Sequence, residues 1–307
     1  MKQKVFFSKP NYPLISSLDK QMVDMHFHTQ FSDTNIKIKD VIKKAKKLGI
    51  GVAITDHNEI EGSIEAFNNK EGVMVIPGIE VSCIEGPHIL LYFYSIDELK
   101  DFFENYLKRK KNKNPYMATK TTVSELLDEC EKYNCVKVAA HPFGYSISNS
   151  GLCKCIKKAY VNQNIMDKIT GLEVVNGAMN RHLNNKAIRF SNMTNKVITG
   201  GSDGHCLFQL GQTVTVTKAK NHIEFLDNLQ KNKNIVIGKE TKAIPKILPF
   251  SKSLKAHLGY AVPSVKIQSI LLYNRAKHFK TVVVEKINNK IHKKSKIKKE
   301  TKIKKLD

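Results

Sequence analysis

Tryptophan is absent from this 307-residue chain, acidic residues are scarce, and apolar runs are short. No stretch of about 18 uncharged apolar residues occurs, which argues against a transmembrane helix. The longest apolar run, 88–96, has the length of a buried strand. The opening residues, MKQKVFFSKPNYP, lack the apolar centre and small-residue cleavage site of a secretory signal. Six cysteines are scattered, and none forms the C-x-x-C pairs of a structural zinc site. They read as reduced thiols of a cytoplasmic protein. No internal repeat at a fixed period is visible.

Only 28 Asp and Glu stand against 51 Lys and Arg, a formal net charge of +23. Residues 286–307 carry ten lysines and two acids, Glu300 and Asp307; without them 41 basic and 26 acidic residues remain, or +15. The body is therefore basic as well. Such a tail serves either as a nucleic-acid attractor or as a plain solubilising, disordered end. The apolar fraction, 41%, is too high for a disordered chain, and the charge is too high for a membrane bundle. The length suits one large domain or two ordinary ones, with core enough to dispense with disulfides.

From 21 to 240, short β-branched apolar runs alternate with helical text. The runs lie at 22–25, 50–55, 73–76, 89–93, 136–140, 169–175 and 196–199. Near-continuous apolar strands fit a parallel sheet covered on both faces. Ile38, Val41, Ile42 and Ala45 fall at i, i+3, i+4 and i+7, with Leu48 following. Val123, Leu126, Leu127 and Cys130 repeat that spacing behind a capping-box pair, Thr122 and Glu125. Seven strands with intervening helices predict an α/β barrel or a doubly wound sheet. The predicted organisation is an N-terminal arm (1–20), the α/β domain (21–240), a C-terminal extension (241–285) and the lysine-rich, disordered tail (286–307). Pro245, Pro249 and Pro263 break the extension, and basic amphipathic text follows over 264–279, to pack on the domain or to lie on a membrane or partner.

The chemistry sits at the strand ends. They deliver Asp24-Met-His26-Phe-His28 with Asp33, then Thr55-Asp56-His57, Pro77-Gly-Ile-Glu80, His88, His141-Pro142, and Gly201-Ser-Asp203-Gly-His205. In parallel α/β folds the C-terminal strand ends make one rim, where active sites sit. His26 and His28, two apart on a strand, point to one face, and Asp203 with His205 repeats the spacing. One strand-end histidine is ordinarily a packed residue. Six of the eleven histidines gathered with Asp33, Glu80 and Asp203 predict a polynuclear metal site.

The ordered set HFHTQFSD, ITDH, GIE, His88, AHP and GSDGH resembles the PHP (polymerase and histidinol phosphatase) family of metal-dependent phosphoesterases, over about residues 22–217. The resemblance implies a distorted (β/α)7 TIM-like barrel with two or three divalent ions at its C-terminal rim. It implies that His26, His28, Glu80 and Asp203 hold one ion, that Glu80 bridges to a second held also by His88 and His141, and that Asp33, His57 and His205 hold a third. Mixed imidazole and carboxylate donors suit Zn, Mn or Fe, and such ions supply a metal-bound hydroxide for in-line attack on phosphorus.

The expected activity is hydrolysis of a phosphate ester on a phosphorylated small molecule, a nucleotide or an oligonucleotide end. Histidinol phosphatase and nuclease activity are alternatives, as is a non-catalytic protein that binds nucleic acid or a membrane surface through its basic C-terminal region. Asp56 either orients an imidazole or caps the next helix, with the cap favoured. Glu173 and Asn176 match a stretch that recurs in the family and order the rim or touch substrate. Arg181 either forks onto phosphate or lies on the surface. The segment between His88 and His141, with Arg109 to Lys113, is either a basic lid or a solvated loop.

Overall fold

The computed structural model describes residues 4–112, 117–144 and 151–241, together with Tyr273. Among the described residues ten strands form one curled sheet: β1 (Val5–Phe6), β2 (Gln21–Phe27), β3 (Gly51–Ile54), β4 (Val75–Ser82), β5 (His88–Phe93), β6 (Cys135–Ala139), β7 (Gly171–Asn176), β8 (Val197–Gly201), β9 (Thr213–Thr217) and β10 (Ile235–Gly238). Their order is β1-β10-β9-β2-β3-β4-β5-β6-β7-β8. All seven expected strands are present as β2 to β8. Residues 4–20 contribute β1 and a helix, Tyr12–Ser17, to the same body. The C-terminal extension and tail lie outside the described residues, Thr241 and Tyr273 apart.

The sheet is parallel through β2, β3 and β4 and again through β6, β7 and β8, but β5 runs antiparallel to both its neighbours. The cause is local. Only Cys83 to Pro87 separate β4 from β5, and a parallel return needs a crossover of a dozen residues or more. This reversal brings the start of β5 to the rim where β2, β3 and β6 end. His88, the first residue of β5, arrives there for that reason.

The ladder is an open, curled half-barrel rather than a closed ring. Beyond β8, however, the chain comes back to β2. The Asp203 amide donates to the His26 carbonyl (2.8 Å) and the His28 amide to the Gly204 carbonyl (3.1 Å). A Cβ on Gly201 would stand 2.5 Å from the His26 amide nitrogen, so no larger residue fits this approach. Asp24, fully buried, fastens the same seam: one oxygen accepts from the amides of Ser202 (2.8 Å) and His26 (3.4 Å), the other from Gly211 (2.9 Å). Burial pushes its carboxyl up to about 6, against the donors that hold it down.

Inside the curl, Val23, Met25, Ile76, Leu90, Tyr92 and Val138 pack with Phe225, Leu226 and Leu229 of the helix His222–Gln230. That helix follows the end of β9 that pairs with the start of β2, so it closes the end of the curl opposite the histidines. Outside, the helix Ile38–Leu48 lays its predicted apolar face on Val52 and Val214, and ends on Gly49 in a left-handed conformation. The helix Val123–Cys130 begins with the capping box Thr122–Glu125.

Two strands change their inward face by a bulge. In β2 the register shifts between Asp24 and Phe27, so Met25 faces the inner core and His26 also turns inward. In β7 it shifts between Glu173 and Val175; Val174 and Val175 both join the outer core, and Glu173 and Asn176 both face in.

Replacing Asp24 by Ala leaves three buried N–H groups without their acceptor, at about 1 kcal/mol or more each. Asp24→Ala is expected to lower unfolding free energy in urea by about 3 kcal/mol. An unchanged midpoint would show that the seam is held by other contacts.

Candidate metal centre

Nine side chains from six strand ends and their loops converge at one end of the curl. His26, His28, Glu80, His141 and Asp203 are buried to 4% exposure or less. The side chains of Asp33, His57, His88 and His205 keep 11 to 21%, and so form the open side. The structure brings together all nine residues expected as ligands.

Their donor atoms fall into three groups. In the deepest, His26 Nε2 lies 3.1 Å from His28 Nε2, 3.4 Å from Glu80 Oε2 and 3.6 Å from Asp203 Oδ1. His28 Nε2 lies 3.5 Å from that glutamate oxygen and 3.2 Å from that aspartate oxygen. In the second, Glu80 Oε1 is 3.1 Å from His88 Nδ1 and 3.2 Å from His141 Nε2. In the third, Asp33 Oδ2 is 2.9 Å from His205 Nε2 and 3.8 Å from His57 Nε2, with His28 Nδ1 4.0 Å from Asp33 Oδ1. His57 also reaches the middle of the cluster, its Nδ1 2.8 Å from Glu80 Oε2.

Two observations test whether these residues fit divalent ions. Donors about 2.0–2.1 Å from one tetrahedral ion stand about 3.3–3.4 Å apart, which is the centre of the range in the deepest group. Second, His28 Nδ1 is buried and makes no hydrogen bond. Buried polar atoms are normally paired; this nitrogen, 4.0 Å from Asp33 Oδ1, leaves room for a cation between the two. Three clusters of His, Asp and Glu with metal-ligand spacing are present among the described residues, and all fall within these nine.

The electrostatics are those of ionisable groups forced to neutralise one another. Burial would raise Glu80, but His57, His26 and His88 hold it well below the usual carboxylate range. Asp203 is held low in the same way, chiefly by His26. Burial, with His205 and His57 beside it, pushes His28 down to about 4. Burial opposes protonation of His57 and His205 too, yet Glu80 and Asp33 raise the first to about 9, and Asp33 with Asp203 raises the second to about 10. Ligation needs the neutral imidazole, so an ion entering here displaces protons.

Other expectations are settled by position. Asp56 caps no helix, since the next one begins at Glu61 with Ile60 as its cap. Its buried carboxylate instead accepts from the Thr29 amide (2.7 Å), the Thr29 hydroxyl (2.6 Å) and the Ser32 hydroxyl (2.6 Å), fixing the loop between His28 and Asp33. Asn176 is fully buried and its amide faces Glu173 (2.9 Å) and Asp203 (3.2 Å), out of reach of substrate. Arg181 forks onto Glu240 and lies 3.8 Å over the Phe7 ring. Lys111 is held by Glu59 (2.6 Å), two residues beyond His57, while Lys113 lies outside the described residues.

The PHP domain family model matches residues 24–242. The chain belongs to the PHP domain family. An uncharacterised protein of Methanocaldococcus jannaschii is 27% identical over 186 residues, 54% of this chain and 91% of that protein. The DNA polymerase III alpha subunit of Aquifex aeolicus is 40% identical over 68 residues, 20% of this chain but only 6% of the subunit. Among solved structures, a two-domain Bacteroides vulgatus protein containing a predicted PHP-like metal-dependent phosphoesterase aligns over 82% of this chain and 74% of its own, with TM-score 0.53 and 16% identity. The lesion-specific endonuclease EndoQ of Pyrococcus furiosus aligns over 71% of this chain and 57% of its own, with TM-score 0.55 and 19% identity. These structural likenesses are likenesses of fold. No helix among the described residues of this PHP domain protein is long and apolar enough to cross a membrane, and no disulfide joins its six cysteines.

Metal that binds only the folded state at about 100 times its dissociation constant adds about 2.7 kcal/mol. For a domain of this size that corresponds to a rise of about 5–10 °C in melting temperature. Protein stripped with a chelator is expected to melt that much lower than protein reloaded with Zn or Mn in differential scanning fluorimetry. Identical melting would argue against the centre.

Proposed function

We propose that this chain is a metal-dependent phosphoesterase that hydrolyses a phosphate ester at the rim formed by Asp33, His57, His88 and His205. The observation that carries the reading is the deepest donor group, in which the Nε2 atoms of His26 and His28 stand 3.1 Å apart and each meets one oxygen of Glu80 and one of Asp203 at 3.2 to 3.6 Å. A packed core has no use for two buried imidazole nitrogens turned toward each other unless a cation lies between them.

The ligand assignment is His26, His28, Glu80 and Asp203 for one ion; Glu80, His88 and His141 for a second; Asp33, His57 and His205 for a third. Two or three ions of Zn, Mn or Fe suit these donors. When bound, such ions supply an activated water at neutral pH and offset charge on the phosphoryl oxygens. The chain's own part is to hold the donors rigid and to leave one side open. The buried residues exclude solvent from below, while the partly exposed edges of His57, His88 and His205 face the incoming ester.

On this reading β2 to β8 make up the distorted (β/α)7 barrel, within a catalytic unit of residues 21–240 preceded by the 1–20 arm. The 241–285 extension and 286–307 tail add basic charge. Substrates are a phosphorylated small molecule, a nucleotide or an oligonucleotide end. A nuclease is the second reading, favoured by the net charge of +23 and consistent with the endonuclease among its structural neighbours.

The test is metal content by plasma mass spectrometry, followed by hydrolysis of p-nitrophenyl phosphate and bis-p-nitrophenyl phosphate, with His26→Ala and Asp203→Ala beside the wild type. Losing an ion forfeits several kcal/mol of transition-state stabilisation, and at 1.36 kcal/mol per decade kcat/KM is expected to fall about 10³-fold. Activity on the diester that extends to oligonucleotides and falls steeply with salt supports the nuclease reading. Fully loaded protein that cleaves neither ester sinks the hydrolase reading.

A further inference from the structure

We propose that Glu173 is a positioning residue of the metal centre: with Asn176 it sets His26, His141 and Asp203 in their ligating posture before any ion arrives. The inference rests on reading the nine-residue cluster as a metal centre. It assigns Glu173 no contact with substrate, since its side chain is 1% exposed and lies beneath the cluster.

Glu173 spends its two oxygens on different tasks. Oε1 lies 3.0 Å from His26 Nδ1. Oε2 accepts from the His141 backbone amide at 2.8 Å and from the Asn176 side-chain amide at 2.9 Å. A carboxylate facing a ring nitrogen keeps a proton on that nitrogen, so when an ion takes Nε2 between His28, Glu80 and Asp203, His26 retains its remaining proton on Nδ1 against Glu173. Asn176 extends the reach. Its Oδ1 accepts from the amides of Ala178 (2.8 Å) and Met179 (3.1 Å), which fixes the direction of the side-chain amide. Its NH₂ therefore faces the two carboxylates, meeting Asp203 Oδ2 at 3.2 Å and leaving Oδ1 for the donor group.

Backbone geometry points the same way. His141 and Asp203 have φ of +28° and +49°, in the left-handed region that non-glycine residues avoid. Both sit at the end of this one network, His141 through its amide and Asp203 through its carboxylate. The bulge in β7 between Glu173 and Val175 is what lets Glu173 and Asn176, three residues apart, face inward together. Ligands from β2, from just past β6 and from the turn after β8 are thus tied to one buried carboxylate, the last through Asn176.

Glutamine at 173 keeps the volume and fails on chemistry. If its oxygen faces His26, its NH₂ confronts the donors of His141 and Asn176. If its NH₂ faces His26, that ring must move its proton to Nε2 and can no longer ligate through it. Glu173→Gln is therefore expected to bind the ion on His26 and Asp203 about 10- to 100-fold more weakly than the wild type, to weaken the ion on His141 as well, and to load the group of Asp33, His57 and His205 as before. This is read by Co²⁺ titration against a competing chelator, with the visible Co²⁺ absorption reporting the altered donor set. In ¹⁵N-histidine-labelled, Zn-loaded wild type, the His26 ring proton is expected on Nδ1. This second measurement stands even if the variant does not fold. Equal affinity and an identical Co²⁺ spectrum in Glu173→Gln, or a His26 proton on Nε2, overturns the inference while leaving the metal centre standing. A wild type that takes up no metal overturns the metal-centre reading and this inference with it.

Discussion

Six imidazoles and four carboxylates are packed into one end of a curled sheet, most of them out of water. Moving an ionised group into a protein interior costs several kcal/mol unless another charge meets it. Here each group meets several: Glu80 alone has His26, His28, His57, His88 and His141 within 3.5 Å. The titration behaviour shows the strain of this arrangement, with His28 driven down while its neighbours His57 and His205 are driven up. The rest of the architecture reads as the means of placing these groups and of keeping them apart from bulk solvent.

Three departures from regular structure do the placing. The short β4–β5 turn reverses β5 and brings His88 to a rim built from the opposite ends of other strands. A bulge in β2 turns His26 inward next to inward-facing Met25. A bulge in β7 does the same for Glu173 and Asn176. The return of the chain after β8 then closes Asp203 and His205 onto β2, where Asp24 and Gly201 permit the close approach. Each of these is local, yet removing any one would displace a donor or the residues that hold one in place.

The strands and the nine rim residues were readable because both rest on short-range signals. Runs of β-branched residues of strand length recur with ligand-type residues at their ends, and helical spacing marks 38–48 and 123–130. The signal failed where period and polarity mislead. Thr213, Thr215 and Thr217 form a buried strand, β9, but its alternating threonines do not look like an apolar run, and β1 and β10 are too short to stand out. Asp56 looked like a cap because aspartate often is one; only folding shows the loop from His28 to Asp33 coming back to it. Arg181 does lie on the surface, one of its two readings, but its pairing with Glu240, 59 residues away, leaves no trace in the local pattern.

The sequence by itself determined the inventory: an α/β chain with a strongly basic balance, the strands, and a set of ligand-type residues whose order along the chain resembles one family. Those properties are carried by residue type and by spacings of a few positions, which local physics converts directly into strand ends and faces. The tertiary structure alone decided how the donors are grouped, which side of the cluster opens to solvent, and that Glu173 rather than substrate engages Asn176. Each of these depends on contacts between residues tens to nearly two hundred positions apart and on single-residue bulges, and no local pattern records either.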